Sequence, residues 1–92
     1  MERAKKIAHL LVSEKLAACC NIMPKITSVY LWQGKVEQAN ENLLIIKTNS
    51  KNFKNLEDAI LKLHPYDLPE IISLDITAGS NKYLDWISEN VR

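Results

Sequence analysis

His64-Pro65-Tyr66-Asp67-Leu68-Pro69-Glu70 joins two segments of opposite periodicity, and the fold is read from that change. Before it, Phe53, Leu56, Ile60 and Leu63 recur at the spacing of a helix with one apolar face. After it, Ile72, Leu74 and Ile76 alternate with Ser73, Asp75 and Thr77, the period of a half-buried strand. Pro65 disfavours helical backbone at His64. Pro69 has no N–H and suits the first residue of an edge strand. The stretch therefore reads as a stiff helix-to-strand corner carrying an imidazole, a phenol and two carboxylates. His64 is the first candidate metal ligand, with Glu70 or Asp67 adding a carboxylate, because neutral imidazole suits copper, zinc and nickel. The competing reading is a histidine that caps the helix by bonding a last-turn carbonyl.

Working outward, Ala4, Ile7, Ala8, Leu11 and Val12 mark one face of a helix over about residues 2–16. From Cys19 to about Trp32 the pattern turns to strand, with Pro24 marking an interruption or an edge position. Gln33-Gly34 supplies the glycine of a tight hairpin turn, and a second strand runs from Val36 to about Thr48. Leu43 to Ile46 are apolar on both faces, as expected of a central strand covered on both sides. Ser50 is a suitable cap for a helix over 51–63, and Ser80 or Asn81 for a closing helix marked by Leu84, Ile87 and Val91. Strand 42–48, helix 51–63 and strand 70–77 have the order of a right-handed parallel unit.

Composition narrows the functional classes. The 92 residues suit one small domain, 1–92, whose hydrophobic fraction of 47% is that of an ordinary globular protein. A domain this small buries only about 60–65% of the surface its unfolded chain exposes, so association would help it. The charges, 12 basic against 11 acidic, are interspersed, and no basic stripe with interleaved aromatics suggests a nucleic-acid partner. The longest apolar run, Leu16 to Cys20, is far below the roughly 20 residues of a membrane span. No cleavage-type signal leads the chain, and the expected location is cytoplasmic. No phosphate-cradling glycine loop, glycine-flanked serine or paired-histidine motif occurs, so no enzyme activity and no organic cofactor are expected. Cys19 and Cys20 are adjacent and lack redox or zinc spacing, which favours small, buried, reduced residues. Tyr30 and Trp32 share a strand face and are most simply packing residues. Glu37 and Glu41 read as a solvated edge.

Ser13-Glu14-Lys15-Leu16-Ala17-Ala18-Cys19, Thr27-Ser28-Val29-Tyr30-Leu31-Trp32-Gln33-Gly34-Lys35, Leu43 to Thr48, the His64–Glu70 corner, and Ala78-Gly79 with Tyr83-Leu84-Asp85-Trp86 form five blocks in register. In this order and spacing the chain resembles the CutA divalent-cation-tolerance family from about Ile7 to Ile87. The resemblance implies an α+β, ferredoxin-like (split βαβ) sandwich assembled as a homotrimer, in which long strands pair across subunits. It also implies weak binding of copper or another divalent cation, with His64 matching a histidine used in proposed copper sites. The family's first strand, and the cysteine it carries, have no counterpart in the 92 residues, and a second histidine position is Leu63. Segments 42–48 and 70–77 are therefore expected to flank a gap. The same resemblance places Trp32, Lys47 and Tyr66 at a crevice between subunits, where Lys47 could meet an anion, and makes Cys19 a thiol able to reach metal across a boundary. The function implied is a non-enzymatic, metal-tolerance trimer. Two alternatives stay open: an interaction scaffold with a protein partner, of the kind that localises acetylcholinesterase, and a small-molecule sensor sharing the fold of PII-type trimers.

Overall fold

A computed structural model describes residues 1–63 and 69–92, so the corner from His64 to Leu68 lies outside the described residues. The first helix, α1, spans Glu2–Ser13 and buries Ala4, Ile7, Ala8 and Leu11, the predicted face less Val12, which is exposed. It ends three residues short of the expected stop at 16. Lys15 takes a left-handed conformation (φ 59°), the Lys15 N–H donates to the Val12 carbonyl (3.0 Å) and the Leu16 N–H to the Leu11 carbonyl (2.9 Å). These are the paired bonds of a Schellman closure, completed by apolar contact between Leu16 and Leu11. The sequence hid this end because the left-handed position holds lysine where glycine is usual.

β1 (Cys19–Trp32) and β2 (Lys35–Lys47) form one long antiparallel hairpin. Its turn, Gln33-Gly34, has both φ angles positive (52° and 82°), the requirement of a type I′ turn. Pairing runs from Cys19↔Lys47 to Met23↔Leu43 and resumes at Ile26↔Glu41. Pro24 and Lys25 thus face the single residue Asn42, a bulge that places the missing proline N–H outside the ladder. The interruption predicted at Pro24 is this bulge.

Beyond the hairpin, a 3₁₀ turn (Ser50–Asn52) leads into α2 (Phe53–Leu63). Ser50 is the first residue of that turn and not a cap; Asn49 holds the cap position without a side-chain bond. α3 spans Asn81–Glu89, and the expected cap Ser80 accepts from the Tyr83 N–H.

The helices cover one face of the hairpin's near end. Ile7, Leu11, Leu16 and Ala17 meet Leu56 and Ile60 of α2, with Cys20, Leu44, Ile46 and Ile71 packed against them. At roughly 25 cal/mol per Å2 of apolar area, each fully buried Leu or Ile here contributes about 1.5–3 kcal/mol.

Two expectations are corrected. Residues 69–80 have no regular secondary structure, so no strand forms at 70–77 and the parallel unit with β2 is not made; among the described residues the sheet is the β1–β2 pair. β2 is consequently not central, and Leu43 and Ile45 on its outer face are exposed while Leu44 and Ile46 face the helices. The physical reason is shared: a strand exists through its ladder, and neither segment has a partner on that side.

Candidate functional site

The near end of the hairpin sets three polar side chains on its outer face. Cys19 and Asn21 are two residues apart on β1 and so point the same way, and Lys47 is the cross-strand partner of Cys19. The Lys47 Nζ donates to the Asn21 Oδ1 and lies 3.9 Å from the Cys19 Sγ, which is itself 3.7 Å from that Oδ1. A cation, an amide and a thiol therefore share one patch. The Lys47 ammonium can meet an anion, and Cys19 carries a soft-metal donor atom.

Cys20 points inward and behaves differently. Burial pushes its thiol up to about 11, Cys19 adds to the rise, and Lys47 works against it. Both cysteines are free and half-buried, so the expectation of fully buried residues holds for neither. The cleft between α1 and β1, about 260 Å3, is lined by Lys5, His9, Val12, Cys20 and Ile22 among others. His9 from α1 and Cys20 from β1 thus line the same cleft, a juxtaposition not drawn from the sequence. The available signal was that His9 lies one turn from Lys5 and Val12 on a helix bound to cover a strand.

The remaining candidates are scattered. Glu70 is exposed and makes no hydrogen bond or ion pair among the described residues. Trp32 is 48% exposed and pairs with Lys35 beside the turn, so neither it nor Tyr30 is a core residue. Trp32 and Lys47 stand at opposite ends of the hairpin, roughly 40 Å apart at about 3.3 Å per residue. A single copy cannot bring them into one crevice. His64 and Tyr66 lie outside the described residues, and among those described no three His, Cys, Asp or Glu side chains cluster as a metal site. No helix among the described residues is long and apolar enough to cross a membrane.

A profile described as CutA1 divalent ion tolerance protein matches residues 1–90. The chain belongs to the CutA1 family. It is 49% identical over 89 residues to the divalent-cation tolerance protein CutA of Thermus thermophilus, covering 97% of this chain and 86% of that protein. With the chloroplastic CutA protein of Arabidopsis thaliana it shares 50% identity over 91 residues, covering 99% of this chain and 50% of the relative. The chain thus spans about half the length of that plant CutA protein. Among solved CutA1 structures, the one from Thermus thermophilus superposes with a TM-score of 0.96 at 48% identity, covering 99% of this chain and 88% of the other. The CutA of Archaeoglobus fulgidus, described as periplasmic, gives 0.96 at 42% identity, covering 100% of this chain and 89% of the other. The α+β arrangement of hairpin and helices is therefore that of the CutA1 structures.

Proposed function

We propose that this CutA1-family chain is a non-enzymatic, divalent-cation-binding protein that works as a homotrimer of ferredoxin-like units, each one domain over residues 1–92, in metal tolerance. The observation that carries the reading is the match over residues 1–90 to a family whose description is divalent ion tolerance. His64 and Glu70 supply the imidazole and carboxylate, with copper the ion best suited to an imidazole-containing site. Such a ligand set is incomplete, and binding is weak. Cys19 is the thiol that a neighbouring copy's ligands would meet.

Assembly is supported by surface that a single copy leaves uncovered. Val29 (65%), Leu31 (74%) and Val36 (72%) are widely exposed beyond the bulge, left uncovered by the described residues. Apolar area of that kind marks contact surface. The separation of Trp32 from Lys47 points the same way, since a crevice holding both, with Tyr66, needs two copies. Of the relatives named above, the Thermus thermophilus protein carries divalent-cation tolerance in its name, and neither it nor the Arabidopsis protein is named for a scaffold or sensor role. The proposed location is cytoplasmic.

Calorimetric titration with copper(II) tests the reading. Weak binding is expected, with most of the specific component lost in His64→Ala; tight binding, or binding unchanged in that variant, places the ligands elsewhere. Light scattering at micromolar concentration is expected to give three times the chain mass, and a stable monomer defeats the assembly.

A further inference from the structure

We propose that the backbone at Arg92 is a latch that holds α3 closed against the body, and that α3 opens as a unit when the latch lets go. Within a single copy α3 is otherwise weakly held. Of its nine residues only Ile87 is buried, and the segment leading into it, 69–80, has no regular structure. The stacked rings of Tyr83 and Trp86 are 43% and 42% exposed and lie outside the buried core cluster.

After α3 the chain is tied down again. The Arg92 N–H donates to the Lys15 carbonyl (3.0 Å), and the Arg92 carbonyl accepts from the Asn52 Nδ2. Lys15 is the left-handed residue that closes α1, and Asn52 ends the 3₁₀ turn before α2. One backbone unit therefore joins the ends of three elements that are distant in sequence. The receiving turn is itself secured, because the Thr48 Oγ1 donates to the neighbouring Leu16 carbonyl at 2.7 Å.

The chemistry favours closure. Asn52 is only 5% exposed with Arg92 in place, so its amide donor is satisfied out of water by the Arg92 carbonyl and loses that acceptor when Arg92 withdraws. The Arg92 side chain is exposed and Val91 beside it is half-buried, so the Arg92 link itself acts through its backbone polar groups. Arg92 also lies beyond residues 1–90, the stretch matched by the family profile. Elements held by few buried contacts are the ones that open locally below the global unfolding free energy. Release of this latch uncovers Ile87 and frees the 69–80 segment at its α3 end.

Hydrogen exchange measured by mass spectrometry on the full chain, in its native assembly, tests this. Asn52→Ala, and separately a chain ending at Val91, are each expected to speed exchange of amides 84–90 roughly tenfold, leaving the β1 and β2 amides unchanged. Arg92→Ala is expected to leave exchange as it is, because both bonds use backbone atoms. Unchanged exchange in the shortened chain overturns the latch, as does equal acceleration through α1 and α2 in that chain or acceleration in Arg92→Ala. Where Asn52→Ala loosens the whole body, the shortened chain alone decides.

Discussion

Leu43–Ile46 and Ile72–Ile76 are both short apolar segments of strand-forming residues, yet one became half of a hairpin and the other no strand at all. The first lies across from Cys20, Asn21, Ile22 and Met23 in an unbroken ladder, with Leu44 and Ile46 against the helices. The second leaves Ile72, Leu74 and Ile76 exposed at 71%, 87% and 55%. Alternation makes a segment fit for a sheet, but the hydrogen bonds that make it a strand belong to two segments at once. The difference therefore lies in neighbours and not in side chains.

The sharpest test of that comparison replaces one leucine on each side of it. Leu11, fully buried where the helices seal the hairpin, is expected to cost about 3–4 kcal/mol in Leu11→Ala, read as a fall in urea midpoint. Leu74→Ala is expected to change stability by less than about 0.5 kcal/mol in the chain as described. Comparable losses in the two variants would show that the 69–80 segment is covered in solution, by another copy or another strand.

A pairing partner for these two segments should have the next largest effect. A strand-forming extension of roughly ten residues ahead of Met1, able to pair with β2 and the 70–77 segment, is expected to add about 2 kcal/mol or more by burying Ile72, Leu74 and Ile76. That corresponds to a Tm gain of roughly 10 °C for a domain of this size. An unchanged Tm would mean that the segment does not need a partner there.

A smaller effect is expected where the sealed side departs from its preferred chemistry. Lys15 holds a left-handed conformation that costs a side-chain-bearing residue about 1 kcal/mol relative to glycine. Lys15→Gly is expected to stabilise by about 0.5–1 kcal/mol in denaturant melts, and destabilisation would show that the lysine side chain has a role of its own.

An effect confined to alkaline pH, and absent at neutral pH, concerns Cys20 on the inner face. Its thiol sits at about 11 against an ordinary value of 9.0, so the folded chain keeps this proton after the unfolded chain has lost it. The associated stability is intact below pH 9 and declines between pH 9 and 11. Melts across that window should show a steeper decline in the parent chain than in Cys20→Ala; parallel curves would remove Cys20 as the source.

Both hairpin strands, the three helices, the interruption at Pro24, the Gln33-Gly34 turn and the Ser80 cap were legible from residue patterns because each is local. The end of α1 was not, since its signal depends on a glycine that this chain replaces with Lys15. Of the candidate site, the sequence placed Cys19, Cys20 and Lys47 on their strands but could not show that Lys47 and Asn21 close around Cys19 while Cys20 faces His9 across a cleft. The resemblance sets Trp32 and Lys47 in a crevice between subunits, and within one copy the register puts them at opposite ends of the hairpin.

What the sequence determined by itself was periodicity, turn chemistry and family, properties carried by residues close together or by blocks in fixed order. Tertiary structure alone decided which strands are paired, which face of β2 is covered, and where the backbone of Arg92 comes to rest. Those outcomes depend on groups brought together from distant parts of the chain, and a hydrogen bond or a buried contact has no signature in either partner alone.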